Sequence, residues 1–302
     1  MQSKPESERI MKKFGFFAAL ALGLFVLMSA AVTPAFGQSP ITVRPNHHSV
    51  EEEIAIGKKL KARFIADGLR IVDEPFVATY IQRLGEKLVA AIAPEYRIPG
   101  FHCEFYVVDN DEGEYNAFAT PGCFVFINKT VILSADSEGQ VAGIMAHELG
   151  HPFLKQATAD RARLPKILAY AGVVGGAALG GNLGQAISYQ SQYQYAVRSL
   201  LPHSREDEHM ADLFGAQTMA RAGYDPDDLW VDFQLITNLM RNAGVSRVRV
   251  NLMDHPAPDI RGEQVRAEAA KLRELKLYDP KKVWPMTDDF LTLQAKLKGP
   301  HR

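Results

Sequence analysis

The residues best placed by type and spacing to do chemistry are His147, Glu148 and His151, in the run Gln140-Val-Ala-Gly-Ile-Met-Ala-His147-Glu148-Leu-Gly-His151-Pro152. On a helix, positions four apart share a face, so two imidazoles can meet one metal ion. Glu148 then projects beside that ion, where its carboxylate can take a proton from a bound water. Such a pentapeptide turns up by chance in roughly one chain in a hundred of this size, so its surroundings must carry the rest.

Zinc in a hydrolytic site takes three protein ligands and keeps a fourth position open. The third candidate lies downstream, in Ser204-Arg-Glu-Asp-Glu208-His-Met-Ala-Asp212. Glu208 and Asp212 share a helical face, so one can ligate the metal while the other holds a ligand histidine in orientation. A solvated acidic face is the alternative for the same spacing. His203 and His209 lie off that face and read as surface residues. His47 and His48, beside Pro45, read as a solvated linker.

Positioning these groups needs helices and at least one strand layer. Helical spacing predicts a first helix from about Val50 to Leu69 and a second that starts after a cap at Asp73 with Pro75 in its first turn. From Phe101 the period changes to two. Glu104–Asp109, Asn116–Thr120 and Cys123–Asn128 read as strands, with turns at Asn110–Gly113 and Pro121–Gly122. Ser137 with Gln140 three residues later signals the start of the metal helix. Pro152 should kink or end it, because proline there removes a hydrogen bond and crowds the Glu148 carbonyl. Ser204–Arg221 is a strong helix ending at Gly223, Pro226 opens another to about Asn242, and a charged helix, Gly262–Leu275, precedes a proline-rich tail.

The chain has 302 residues, 47% of them hydrophobic, and a formal net charge of −1. A near-neutral chain without a long basic run argues against nucleic acid as a partner. Lys12 and Lys13 precede the uncharged apolar stretch Phe14–Val32, and Ala35-Phe36-Gly37 places small residues before Gln38. That is the pattern of a signal peptide over 1–37, with Met11 as the true start; an uncleaved membrane anchor is the rival reading. No cysteine near the cut suits lipid attachment. Cys103 and Cys123 either pair or stay as two buried thiols. The glycine-dense stretch Leu164–Gly184 reads as a close-packed helical segment or flap rather than a membrane span.

Taken together, His-Glu-Leu-Gly-His, then Ser-Arg-Glu-x-Glu-x-x-Ala-Asp-x-x-Gly, then Ala-Gly-Tyr-Asp-Pro resemble metallopeptidase family forty-eight. That family includes the prenyl-protein endopeptidases and bacterial heat-shock membrane proteases. Asn116-Ala-Phe-Ala-Thr-Pro-Gly122 and His255-Pro-x-x-x-x-Arg261 add to the likeness, which runs from about Val50 to Arg261 and is nearest the soluble exported branch.

The resemblance implies an α+β, zincin-like metalloprotease, mostly helical with a small sheet before the metal helix. It makes His147, His151 and Glu208 the ligands of one Zn2+, Glu148 the general base, and Asp212 the residue that orients a ligand histidine. Asn116, Ala117, Phe118 and Ala119 become the strand that binds substrate backbone, and His255 a histidine able to reach the metal. Lys155-Gln156 stands where relatives often carry Arg-His.

The expected organisation is a leader over 1–37, a metallopeptidase domain over 38–262 and a C-terminal helix and tail over 263–302. Within the domain, 38–99 hold the N-terminal helices and 100–262 the catalytic core. The expected function is a zinc endopeptidase of the periplasm or cell envelope, acting on extended or misfolded polypeptides in protein quality control. Its partners are those polypeptides, envelope assembly machinery and, peripherally, a membrane surface. The alternatives are a latent zinc-bound chaperone with His255 on the metal, and a membrane-anchored intramembrane-type protease.

Overall fold

Ser49 starts the first helix. Its hydroxyl accepts from the Glu52 amide while the Glu52 carboxylate accepts from the Ser49 amide, a reciprocal cap that fixes the start of α1, Val50–Ala66. The computed structural model describes residues 37–109, 114–160, 162–172, 203–241, 249–250, 258–279 and 287–299. The chain divides after Gly37, and all the elements named below belong to the unit Gln38–Arg302. α1 ends short of the expected Leu69, because Asp67 caps it and Gly68 turns away at φ 101°. α2, Pro75–Ala91, is capped by Glu74 rather than Asp73; the Glu74 carboxylate accepts from the Val77 amide at 2.8 Å.

The strands are β1 Glu104–Val108, β2 Glu114–Tyr115, β3 Ala117–Thr120 and β4 Phe124–Asn128. β1, β4 and β3 form one sheet in that order, β1 parallel to β4 and β3 antiparallel to it. The β3–β4 turn needs positive φ at both Gly122 (77°) and Cys123 (71°). A side chain at Gly122 would fall 2.5 Å from the Ile54 Cα of α1, so glycine is required there on two counts. The parallel register Glu104↔Phe124 brings Cys103 beside Cys123, and the two are disulfide-bonded. One face of the sheet packs with α2 and the metal helix. The other carries Phe118, stacked on Phe126 at 4.8 Å and edge-on to Phe64 of α1 at 5.7 Å.

After α3, Lys129–Ser134, comes the metal helix α4, Glu138–Phe153. The Ser137 hydroxyl accepts from the Gln140 amide at 3.2 Å, but the Gln140 side chain accepts from Asp136 instead of returning to Ser137. α4 ends one residue past Pro152, as the missing proline N–H requires. α5 is Gln156–Ala159 and α6 Leu164–Tyr170.

α7, Arg205–Ala222, opens on a reciprocal Ser204–Asp207 cap and closes at Gly223, φ 85°. Then come α8 Asp227–Arg241, β5 Arg249–Val250, which pairs in parallel with β2, and α9 Pro258–Glu274. The tail is not without structure: α10, Asp288–Leu297, buries Phe290, Leu293 and Leu297. α4 and α7 cross closely because both present glycine. A Cβ on Gly150 would lie 2.9 Å from the Ala211 Cα, and one on Gly215 would lie 3.0 Å from the His147 amide. No helix among the described residues is long and apolar enough to cross a membrane. The leader stretch, the turn at 110–113, the glycine-dense segment beyond Gly172 and His255 lie outside the described residues.

Candidate metal centre

α4 presents His147 and His151 on one face, and the close crossing lets α7 bring Glu208 up to both. The ligand atoms of the three residues all lie within 4.8 Å of one another. Glu208 Oε2 is 3.7 Å from His147 Nε2, and Glu208 Oε1 is 3.7 Å from His151 Nε2. All three side chains are buried.

Each imidazole is oriented from behind. His147 Nδ1 lies 2.8 Å from Asp212 Oδ1, and His151 Nδ1 lies 2.5 Å from Gln156 Oε1. An acceptor at Nδ1 receives a hydrogen bond from Nδ1–H and leaves the Nε2 lone pair on the Glu208 side, where for His147 the Arg261 Nη2 also lies at 3.3 Å. Two imidazole nitrogens and one carboxylate oxygen are a donor set that suits zinc. The two histidine-to-Glu208 separations of 3.7 Å, each to a different carboxylate oxygen, and the 4.8 Å that bounds all three ligand atoms place them around one point where a single ion could sit. These residues therefore fit a zinc ion. Glu148, next to His147 on α4, is also buried, at 2% exposure.

Arg261, part of the His255-Pro motif but without a role readable from it, enters this cluster from α9. Its Nη1 is 2.6 Å from Glu208 Oε2, and its Nε and Nη2 bond the two Asp212 oxygens at 2.8 and 2.7 Å. Burial works to lower the guanidinium pKa, but Asp212 and Glu208 outweigh it and push it up. Burial likewise works to raise the Asp212 carboxyl, and Arg261 with His147 holds it below the usual carboxylate range.

His203 is not a surface residue. It is 8% exposed, and its ring lies parallel to that of His151 with centroids 3.6 Å apart. It precedes the Ser204 cap, so its direction follows the chain's entry into α7 and not the helical wheel. Gln156 is visible in the sequence only as a departure from the family pattern; a residue just past a proline-terminated helix can turn back on that helix's last face. A cavity of about 260 Å3 adjoins Glu208 and Arg261, with Arg205, His209, Ile260 and Gln264 around it. Asn116 and β3 lie at the edge of the three-stranded sheet, the Asn116 carbonyl accepting from the Asn128 amide at 2.9 Å.

A model of the family described as peptidase family M48 matches residues 75–269. The β-barrel assembly-enhancing protease of Escherichia coli K12 is 27% identical over 298 residues, which cover 94% of this chain and 58% of that protein. Its Yersinia pestis namesake is 31% identical over 230 residues, covering 74% of this chain and 45% of that protein. The mitochondrial metalloendopeptidase OMA1 of Saccharomyces cerevisiae is 25% identical over 188 residues, 59% of this chain and 50% of that one. The chain thus spans about half the length of the curated relatives it matches.

Proposed function

The chain belongs to peptidase family M48, and from that premise we propose that it is a zinc endopeptidase of the cell envelope acting on extended or misfolded polypeptides. The observation that carries this reading is the convergence of His147, His151 and Glu208, with both histidines turned toward Glu208 by acceptors behind them. A zinc ion held there supplies Lewis acidity toward a water and a scissile carbonyl. The Glu148 carboxylate takes the proton of the attacking water and passes it to the leaving amine nitrogen. Asp212 and Gln156 keep the Nδ1 protons in place, and Arg261 neutralises the carboxylates that crowd the site.

Substrate backbone binds along β3. Among the described residues β3 is an edge strand that pairs only with β4 within its sheet, and its residues are buried; strand addition of a peptide would use that edge. Backbone pairing reads no side chains, which suits a wide range of clients. A role beside envelope assembly machinery follows the name of the bacterial relatives. The leader over 1–37 is part of the same reading, as it directs export.

The test is hydrolysis of casein by wild type and Glu148→Gln, with zinc measured in both. Zinc in both and cleavage by wild type alone supports the base and the metal site together. Zinc in both and no cleavage by either removes the peptidase reading for this form. His255→Ala then separates inactivity from latency, since a rise in basal cleavage marks a histidine that closes the metal.

A further inference from the structure

The two ligand histidines are held by different means. His147 is oriented by Asp212, on the same helix as Glu208. His151 is oriented by Gln156, which stands beyond the end of α4 on the other side of an elbow. The Gln156 amide also donates from Nε2 to the Asp207 carbonyl at 2.9 Å, so its oxygen is the atom that faces His151. The position of that amide depends on the path of the elbow.

The elbow turns at Lys155, which adopts a left-handed conformation with φ 61°. Glycine is usual at such a helix end, and a residue with a side chain is strained there. The lysine side chain has a task that glycine could not perform. It crosses the face of Phe101, 4.4 Å from the ring centre, and its ammonium pairs with Glu53 of α1. Glu53 is 1% exposed. Its other oxygen accepts from Thr158 Oγ1 and from Asn46 Nδ2, each at 2.6 Å. One buried carboxylate therefore grips the chain immediately before Gln156 and two residues after it.

We propose that Glu53 is a positioning residue for the metal ligand His151, acting through the Lys155–Thr158 segment that carries Gln156. The inference rests on the zinc reading of the centre, and its mechanical part does not need the metal. In metal-free protein the His151 ring is held with its proton on Nδ1. With zinc bound, the same restraint keeps Nε2 aimed at the ion.

A double-mutant cycle on zinc affinity separates this from a purely structural buried carboxylate. Loss of an orienting partner weakens metal binding by about tenfold to a hundredfold. Glu53→Gln and Gln156→Ala should each do so. In the Gln156→Ala background Glu53→Gln should weaken zinc no further, because the path it acts through is gone. Asp67→Asn is the control: Asp67 is a buried carboxylate at the end of α1 that accepts from Tyr170 at 2.5 Å and Arg63 at 2.9 Å, away from the elbow. It should lower the melting temperature and leave zinc affinity unchanged.

Nitrogen NMR of metal-free protein should show His151 as the Nδ1–H tautomer in wild type and mixed in Glu53→Gln. If Glu53→Gln folds poorly, the double variant Glu53→Gln/Lys155→Gly removes carboxylate and cation together and relieves the positive φ, so no buried charge is left unpaired, and it should weaken zinc by about tenfold or more. Unchanged zinc affinity, additive losses in the cycle, or a single His151 tautomer in the variants would overturn the proposal. A wild type that binds no zinc but shows the tautomer change would overturn only the zinc reading.

Discussion

Arg261 grips Asp212 with two nitrogens, Nε at 2.8 Å and Nη2 at 2.7 Å, and sends Nη1 to Glu208 at 2.6 Å. One buried cation thus serves two buried carboxylates four residues apart on α7. Removing one partner from such a cluster costs about 3–5 kcal/mol, because charge is left buried without its counterpart. A zinc ion at the proposed site would bring positive charge to the same carboxylates. Arg261→Met should therefore lower the melting temperature of metal-free protein steeply, and added zinc should recover more of it than in wild type. Calorimetry with and without a chelator reads both, and equal losses in the two states would refute charge sharing.

The legible parts of this fold are those written in local spacing. The metal helix, its Ser137 start and its proline-forced end follow from residues within one or two turns. The same holds for the capped α7 and for Gly223. The rest depends on where distant segments meet. Cys103 and Cys123 can be paired only once β1 and β4 are known to run parallel in that register. His203 lies one residue before the Ser204 cap, where helical geometry does not set its direction. α10 hides in a proline-rich tail because its apolar residues, Phe290, Leu293 and Leu297, fill little more than two turns.

The disulfide closes a 20-residue separation between the start of β1 and the turn that leads out of β3. A cross-link over a loop of that size stabilises by about 3 kcal/mol, chiefly through the unfolded chain. Reduction, or Cys103→Ser, should lower the urea midpoint accordingly. The β3–β4 turn should loosen first, since Gly122 and Cys123 hold it in positive φ. Hydrogen exchange at Ala119 and Phe124 measured with and without reductant tests the order; uniform loss of protection across the chain would contradict it.

Burial, and after it the carboxylates of Asp225 and Asp227, raise the Asp228 carboxyl to about 6. A carboxyl whose folded pKa lies above its unfolded value favours the fold while it is protonated. That contribution is whole below about pH 4 and is lost as pH climbs through about 6. The positive end of α4 works the other way, since Asp228 Oδ2 lies 1.8 Å from where a Gly139 Cβ would be. Asp228→Asn should therefore gain about 1–2 kcal/mol at neutral pH and flatten the slope of stability between pH 4 and 6. Urea titrations at several pH values decide it, and an unchanged slope would shift the effect to Asp232, also raised by burial.

The centre needs its two helices closer than side chains normally allow, and Gly150 makes that approach possible. A methyl group there would sit 2.9 Å from the Ala211 Cα, a backbone atom that no rotamer change can move. Gly150→Ala must push α7 outward, and Glu208 and Asp212 travel with it. His147 and His151 stay on α4, so the donor set is split between what moves and what does not. The variant should retain helical circular dichroism and lose zinc affinity by more than tenfold, the scale of a displaced ligand or orienting partner. Arg221→Ala is the comparison, at the far end of the same helix, where the side chain bonds Gln38 at 2.8 Å; it should leave zinc affinity as it was. Wild-type zinc affinity in Gly150→Ala would mean that the crossing can relax without the ligands parting.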